Sequence, residues 1–287
     1  MQEIIPNVSG KRTGLIYRLG KLRFIHHFVD KIGIYWLINH ILKKWPISRK
    51  LPRSGFRIRI GSIAGLALVE EMFKGHEYNV AIEGKMIQTF ADIGCNVGWF
   101  PCLLVERNPL ICPIGLLIDA DIDMVKEADW HLKRNGLDQC SVLLGALGCD
   151  PDQKEVVFHI NPANTQSSMK PFLKKHPFPV KGKVREVRVP TIALSKEWSS
   201  RHGTQIIDLL KIDIEGAELD FLQKEIEFIE LAVRWIVCEW HAWHVSLAEI
   251  EGFLVKHNFT LDKIAEQDGY GGVVVFKNKI IPQVPPL

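Results

Sequence analysis

The sequence lacks the features of secreted and of membrane-spanning proteins. Six cysteines are scattered over 287 residues without a C-x-x-C pair, and no secretory signal is recognisable ahead of them. The longest uncharged apolar run near the N-terminus, Ile32–Leu42, has about half of the roughly 20 residues that a membrane-spanning helix needs. We therefore predict a cytoplasmic protein with reduced thiols and no membrane span.

Acidic residues are scarce in the first sixty positions. Residues 1–60 hold thirteen Lys and Arg against two Asp and Glu, whereas the whole chain has a net charge of only +3. Apolar residues recur at helical spacing from Gly14 to Lys44, and the segment Trp45–Gly55, with two prolines and a glycine, ends this pattern. We predict a basic helical N-terminal extension over residues 1–58 and a second domain over residues 59–287.

The basic extension allows two kinds of contact. Its apolar stripe and lysines are typical of a helix that lies on an anionic membrane surface, which would make the protein membrane-peripheral. The same stripe could instead pack on the second domain or on another subunit of a homo-oligomer. Both alternatives stay open at the level of the sequence.

Short apolar runs alternate with amphipathic helical patterns beyond the extension. This alternation is typical of an α/β fold with a mostly parallel, doubly wound sheet. The last two runs, Phe259–Glu266 and Gly271–Lys277, have no helix between them and predict a C-terminal antiparallel hairpin. The other predicted strands are Met86–Gly94, Pro113–Asp119, Cys140–Ala146, Lys154–Ile160, Arg185–Pro190, Ile206–Asp213 and Trp235–Trp240. The predicted helices include Val97–Arg107 and Ile122–Gly136, the second with Asp121 as its N-cap.

The first predicted strand ends in a turn that suits a ligand. Asp92 stands at the strand end, and glycines lead from there into a helix, whose free N–H groups and positive dipole end lie where open parallel sheets bind ligands. The acid before the first glycine departs from the G-x-G-x-x-G pattern of dinucleotide folds and favours a ligand with an amine or another positive charge. Asp119 ends the second strand roughly 20 residues later, where such folds place an acid on a pair of ribose hydroxyls.

Several motifs surround this turn. They read DIGCNVGWF, LLIDADIDMVKEADWHLKRNGL, LGALG, NTQSS, LLKIDIEGAELDFL and VCEWH, and in order and spacing they resemble the FkbM family of S-adenosylmethionine-dependent O-methyltransferases. The resemblance runs from Glu77 to Phe276 and implies a class I methyltransferase fold, which is Rossmann-like, with S-adenosylmethionine as the cofactor.

The resemblance also implies which residues hold the cofactor. The turn after the first strand would hold its methionine part, Asp119 its ribose, and the region of Ala120 and the Gly145–Ala146 turn its adenine. Cys95 stands where alanine is usual, and Asp119-Ala120 replaces the usual Glu-Pro, which shortens the reach to the ribose but keeps two acceptor oxygens. The implied cofactor-binding residues are Asp92, Gly94, Cys95, Asn96, Gly98, Asp119, Ala120 and Ala146.

Methyl transfer to a hydroxyl needs a group that accepts the proton of the acceptor. Candidate bases follow the fourth and fifth parallel strands, namely Asp213, Glu215, Glu218, Glu239, His241 and His244. Because these strand ends lie on the ligand-binding edge, we expect their side chains to converge beside the methyl group. We predict His241 as the general base, since a neutral imidazole is available at physiological pH, with Asp213 or Glu239 orienting it.

The E-x-H-x-x-H arrangement of Glu239, His241 and His244 also suits zinc, iron or manganese. A metal site needs three or four convergent ligands, and an extended segment does not put all three side chains on one side. No metal site is therefore predicted.

The loop-rich segment Asn161–Lys183 is long enough to cover an acceptor. Its serine and amide side chains suit a hydroxyl-rich substrate such as a sugar, and the alternative is a solvated loop. We predict Ser167, Ser168 and Glu215 as substrate-binding residues.

The predicted function is O-methyl transfer to a hydroxyl of a sugar, glycolipid or related natural product. A nucleic-acid methyltransferase is the enzymatic alternative, because the basic extension could neutralise phosphates. The strand end KIDIEGAE lacks the Asn/Asp-Pro-Pro-aromatic pattern of enzymes that methylate base amino groups, so a nucleic-acid partner is not favoured. The second alternative is a non-catalytic, membrane-peripheral protein that retains the fold.

Overall fold

The computed structural model describes residues 35–75, 78–150, 153–161, 167–169, 184–267 and 270–282. The chain divides into two compact units, one formed by residues 1–48 and 59–70 and the other by residues 49–58 and 71–287. Residues 59–70 thus group with the N-terminal unit, and the boundary after residue 58 stays a prediction. Most of the predicted helical extension and most of the predicted acceptor-covering loop lie outside the described residues.

Helices and strands alternate along the described residues. The helices are α1 (Tyr35–Lys44), α2 (Ile63–Lys74), α3 (Asn79–Ile82), α4 (Phe100–Arg107), α5 (Ile122–Arg134), α6 (Leu194–His202), α7 (Glu218–Ala232) and α8 (Leu247–Lys256). The strands are β1 (Ile47–Lys50), β2 (Arg57–Ile60), β3 (Thr89–Ile93), β4 (Ile114–Asp119), β5 (Cys140–Leu144), β6 (Glu155–Ile160), β7 (Arg185–Pro190), β8 (Ile207–Ile212), β9 (Val233–His241), β10 (Phe259–Gln267) and β11 (Gly271–Asn278). Of the described helices, none combines the length and apolar character that crossing a bilayer requires.

Seven strands form the central sheet in the order β5-β4-β3-β8-β9-β11-β10. The first five are parallel neighbours, whereas β11 runs antiparallel to both β9 and β10. Every residue of β3 and β8 is buried, as continuous apolar runs in a parallel sheet require. The order and the final hairpin confirm the predicted mostly parallel, Rossmann-like sheet with a C-terminal antiparallel hairpin.

Two predicted strands form a sheet of their own. β6 pairs antiparallel with β7, and Phe158 lies opposite Val187. Along β6 buried or half-buried side chains alternate with exposed ones over the first four residues, so the strand presents one face to solvent. The two segments are therefore strands as predicted, but they lie outside the doubly wound sheet.

Local sequence signals and one apolar core hold the strand ends in place. Asp121 caps α5, as predicted, because its Oδ1 accepts the N–H of Asp123 at 2.9 Å. The core joins the central sheet to α6, α7 and α8 through buried residues that include Leu116, Trp198, Ile212, Phe221, Ile236, Ile250 and Leu254. This packing fixes the carboxyl ends of β8 and β9, where the candidate bases lie.

Candidate active site

The carboxyl ends of four strands bring most of the predicted residues to one edge of the sheet. Asp119 is the last residue of β4, Asp213 follows β8 directly, and Glu239 and His241 lie in the last three residues of β9. Parallel pairing of β3 with β4 and β8, and of β8 with β9, sets these ends side by side. The structure thus brings together side chains that are far apart in the sequence.

The turn after β3 requires its glycines. Gly94 has a φ of +78°, and a Cβ there would lie 1.7 Å from the carbonyl oxygen of Asp213. Gly98 has a φ of +73°, and a Cβ there would lie 2.6 Å from the Cβ of Ala128. A side chain at either position would push the turn away from the end of β8 or from α5.

Three N–H groups of this turn are used within the protein. Those of Gly94 and Cys95 donate to the carbonyl of Ile118 at 2.9 and 3.0 Å. The N–H of Asn96 donates to Asp119 Oδ2 at 2.8 Å. The expectation that free N–H groups hold a ligand therefore fails at these three positions, because β4 already accepts from them. A ligand could therefore contact the surface of the turn but would not accept hydrogen bonds from these three N–H groups.

Both carboxylate oxygens of Asp119 are oriented by backbone donors. Oδ2 accepts from Asn96, and Oδ1 accepts the N–H of Asp121 at 2.8 Å. Burial raises the pKa of Asp119 to about 7, although the two hydrogen bonds act to lower it. Since each oxygen keeps a further lone pair, the carboxylate can still accept a pair of ribose hydroxyls.

Ala120 and Ala146 lie in one apolar cluster with residues of β6 and β7. The two alanines that the family resemblance assigns to the adenine side are thus brought together, and the small sheet borders them. Cys95 is buried, and burial raises the pKa of its thiol well above the usual value, so the thiol is neutral at physiological pH.

Asp92 is fully buried in β3 and faces Lys211 of β8. Its Oδ1 lies 3.1 Å from Lys211 Nζ, which also lies 3.4 Å from Asp213 Oδ2. Burial acts to lower the pKa of Lys211, but the two carboxylates outweigh burial and raise it, so the ammonium stays charged. An acid at the end of β3 indicates a positively charged partner, and in the structure this partner is Lys211. Contact between Asp92 and an amine of the cofactor is not needed to explain this acid.

Glu239 has a pKa close to neutral pH. Burial and the nearby carboxylate of Asp213 raise this pKa to about 7, while the charge of His241 and a hydrogen bond from Tyr78 limit the rise. Tyr78 is buried and donates its hydroxyl to Glu239 Oε2 at 2.7 Å. A carboxylate with this pKa can accept a proton at neutral pH and release it again.

His241 lies between two carboxylates. Its Nδ1 is 2.8 Å from Glu218 Oε1, and its Nε2 is 3.3 Å from Glu215 Oε2. Burial acts to lower the pKa of His241, but Glu215 and Glu218 raise it well above its usual value. Both ring nitrogens are engaged and the ring is an imidazolium at neutral pH. This geometry does not favour His241 as the general base, because a base needs an available lone pair, and the identity of the base stays a prediction.

The predicted substrate residues Ser168 and Glu215 are neighbours. Ser168 Oγ donates to the backbone carbonyl of Glu215 at 2.8 Å. Ser167 Oγ accepts the N–H of Asn161 at 3.1 Å. Each serine hydroxyl therefore forms a hydrogen bond with a backbone group of the protein. Residues 162–166, between Asn161 and Ser167, lie outside the described residues.

Three potential metal ligands meet at this edge. Asp213, Glu239 and His241 each offer one atom within 4.8 Å of the other two, among the residues that the structure describes. This set differs from the sequence pattern, because Asp213 of the neighbouring strand takes the place of His244. Lys211 Nζ, 3.4 Å from Asp213 Oδ2, already supplies a cationic partner to this carboxylate.

Two further residues of this edge, Lys211 and Tyr78, are not among the predicted site residues. A lysine within the apolar strand IIDLLKID is a usable signal, since a buried lysine needs a carboxylate partner. Tyr78 gives no such signal, because it lies 161 residues before Glu239 and only the fold joins them.

A cavity of about 1090 Å³ lies at the other end of the sheet. Its lining includes Gln88, Ile114 and Gln205, at or near the amino ends of β3, β4 and β8. It is therefore separate from the carboxyl edge where ligands of such sheets bind.

Comparisons with known proteins complete the description. The family model of the methyltransferase FkbM domain matches residues 92–261. No curated protein matches the sequence significantly.

Similar solved structures include three methyltransferase-related proteins. M. capricolum TrmK in complex with S-adenosyl-homocysteine is 14% identical, with 70% of this chain and 66% of that chain covered and a TM-score of 0.43. A methyltransferase FkbM from Methylobacillus flagellatus is 13% identical, with 66% and 43% covered and a TM-score of 0.45. A human methyltransferase 10 domain containing protein is 14% identical, with 88% and 98% covered and a TM-score of 0.44. The chain spans less than two-thirds of the first two, and these similarities concern the fold alone.

Proposed function

Because the chain belongs to the methyltransferase FkbM family, whose cofactor is S-adenosylmethionine, we propose that it methylates a hydroxyl of a sugar, glycolipid or related natural product. The observation that carries this proposal is Glu239 at the end of β9. Its pKa of about 7 suits a group that accepts the proton of a hydroxyl near neutral pH.

The electrostatics of the edge support a cationic cofactor. Burial raises the pKa of Asp119 and of Glu239 to about 7. Such shifts indicate carboxylates without enough positive charge nearby. S-adenosylmethionine carries a sulfonium and an ammonium, which would offset this deficit.

The described residues also fit the parts of this cofactor. Asp119 would hold the ribose hydroxyls on its two oriented oxygens, and the turn from Gly94 to Gly98 would enclose the methionine part. The apolar cluster that contains Ala120 and Ala146 would hold the adenine ring.

The reaction needs an aligned nucleophile and a proton acceptor. When bound, S-adenosylmethionine would supply an electrophilic methyl group for in-line displacement by the acceptor oxygen and would leave as the neutral thioether. Glu239 accepts the proton of the acceptor hydroxyl on its carboxylate, which Tyr78 holds in place. His241, as an imidazolium between Glu215 and Glu218, positions the side chain of Glu215 at the same edge.

The charge of the edge supports a neutral, hydroxyl-rich acceptor. Asp213, Glu215 and Glu239 present carboxylate oxygens, which accept hydrogen bonds from the many hydroxyls of a sugar. The same carboxylates repel a phosphodiester backbone. The geometry therefore favours a glycan over a nucleic acid as the acceptor.

The test is methyl transfer from a labelled cofactor. Purified protein is incubated with S-adenosylmethionine that carries a deuterated methyl group and with separated oligosaccharide, glycolipid and RNA fractions. We expect the label in a carbohydrate-containing fraction, as a methyl ether that resists alkali. Label in the RNA fraction would support the nucleic-acid alternative, and cofactor binding without transfer to any fraction would support a non-catalytic protein.

A further inference from the structure

Helix α1 exposes apolar side chains on one face. Leu37, Ile41 and Trp45 follow each other at intervals of four residues and are 46%, 42% and 64% exposed, and Ile47 beyond them is 45% exposed. Leu42, on another face of the helix, is buried. We call Leu37, Ile41, Trp45 and Ile47 the α1 stripe. A helix that packs through one face usually turns polar side chains to solvent on the other, whereas α1 also exposes these apolar ones.

Basic side chains border the α1 stripe. Lys43 and Lys44 are exposed in the last turn of α1, and Lys44 Nζ lies 4.8 Å from the centre of the Trp45 ring. From Lys43 to Arg59 the sequence has seven Lys and Arg and no Asp or Glu. Lysine stems lie along apolar surface while their ammonium groups reach outward, and tryptophan favours the boundary between an apolar phase and water.

We propose that the α1 stripe docks on the surface of an anionic lipid bilayer. The apolar side chains would enter the boundary between headgroups and acyl chains, and the lysines would meet the headgroup phosphates. Charge complementarity selects this occupant. A nucleic acid would pair with the basic residues but leave Leu37 and Ile41 without an apolar partner, and a second copy would bring two basic surfaces together. The proposal does not depend on the proposed methyl transfer.

Vesicle co-sedimentation of the full-length protein tests this proposal. The vesicles contain phosphatidylcholine alone or phosphatidylcholine with phosphatidylserine. We expect binding to the phosphatidylserine vesicles at low salt, release as the salt concentration rises, and at least about tenfold weaker binding to neutral vesicles. The triple variant Leu37→Ser/Ile41→Ser/Trp45→Ser is expected to lose at least about tenfold in binding.

Two further variants keep the test decisive. The control Leu231→Ser/Val255→Ser changes side chains that are 71% and 47% exposed on other helices, and it is expected to bind as the wild type does. The variant Lys43→Gln/Lys44→Gln keeps the α1 stripe and is expected to weaken binding to phosphatidylserine vesicles only. It decides the outcome if the triple variant does not fold, which thermal unfolding would reveal.

Three results would overturn the proposal. The first is a wild-type protein that does not sediment with phosphatidylserine vesicles at low salt. The second is a folded triple variant that binds as well as the wild type. The third is a wild-type dimer or RNA complex that the variants abolish while vesicle binding is absent, which would assign the surface to a second copy or to nucleic acid.

Discussion

Glu239 owes its pKa to burial and to neighbouring groups, among them Asp213, His241 and Tyr78. Burial and Asp213 raise the pKa, and His241 and Tyr78 hold it near 7. Asp119 reaches a similar pKa mainly through burial. The two carboxylates differ in their fixed partners, since Asp119 accepts two backbone N–H groups whereas Glu239 accepts a side-chain hydroxyl. We therefore propose that Asp119 holds a ligand and that Glu239 accepts a proton.

Glu239→Gln is expected to lower kcat by roughly 10²–10⁴, because it removes the proton acceptor. In the wild type kcat/KM should rise with pH through about 7, as the carboxyl group of Glu239 ionises. Tyr78→Phe should shift this rise to higher pH, since the lost hydrogen bond favoured the charged carboxylate. Steady-state kinetics over a pH series measures all three effects. The control Glu83→Gln changes an exposed acid and should behave as the wild type, and a Glu239→Gln enzyme within threefold of it would contradict the role.

Asp119→Ala is expected to weaken binding of S-adenosylmethionine about ten- to a hundredfold, which corresponds to a loss of about 1–3 kcal/mol for hydroxyls left without acceptors. Isothermal titration calorimetry gives the affinity. Asp138→Ala, a change at an exposed acid, serves as the control. A folded Asp119→Ala protein with wild-type affinity would show that the ribose is held elsewhere.

Among the elements, β8 contributes Lys211, whose ammonium contacts both the turn after β3 and the carboxyl edge of the sheet. Lys211 lies directly opposite Asp92 of β3 in the register of the two strands, and Asp213 follows two residues later on the same side of β8. The ammonium therefore connects a carboxylate in the centre of the sheet with one at its edge. The ammonium also lies 3.3 Å from the carbonyl oxygen of Gly94, in the turn after β3.

Lys211→Met is expected to destabilise the protein by about 3–5 kcal/mol, because it leaves buried carboxylates without their cation. The double variant Lys211→Met/Asp92→Asn should recover part of this loss, since it removes the fully buried charge as well. Urea unfolding of both variants measures the two free energies. Equal stability of the wild type and Lys211→Met would mean that the ion pair contributes nothing.

The sequence predicts elements better than it predicts contacts between them. The apolar runs place β3, β4, β8 and β9 within three residues of their observed ends, because burial on both faces leaves a continuous apolar signal. The sequence does not predict that β6 and β7 form a separate sheet, because the alternating pattern of a half-buried strand does not indicate which sheet the strand joins. The acid at Asp119 is found from its spacing to the turn, whereas the partners of His241 depend on how β9 packs against the start of α7.

At the scale of the whole molecule, charge of opposite sign is concentrated in different regions. The basic residues lie mainly in the first sixty positions, whereas carboxylates gather at the edge of the central sheet. Protonation neutralises part of this negative charge near neutral pH, as the raised pKa values of Asp119 and Glu239 indicate. Stability without the cofactor should therefore depend on pH.

The cofactor-free protein is expected to lose stability as the pH rises from about 5 to about 8. Asp119 and Glu239 bind protons up to about pH 7 in the folded state but only to about pH 4 when unfolded, so folding is favoured at the acidic end of this range. His241 acts in the same direction, because its raised pKa gives stability below about pH 6.5 that is lost at higher pH. Thermal unfolding across this range measures the effect. Asp119→Asn/Glu239→Gln should flatten the profile, and a melting temperature that rises with pH would contradict this account.

Proton release on cofactor binding tests whether cationic S-adenosylmethionine binds at an edge where the carboxyl groups of Asp119 and Glu239 are partly protonated. The measurement is calorimetric titration near pH 7 in buffers of different ionisation enthalpy. We expect binding that releases protons and tightens as the pH rises, because the cofactor lowers the pKa of Asp119 and Glu239. The release should shrink in Asp119→Asn and in Glu239→Gln. No binding, or binding without proton release that is insensitive to both variants, would contradict this expectation.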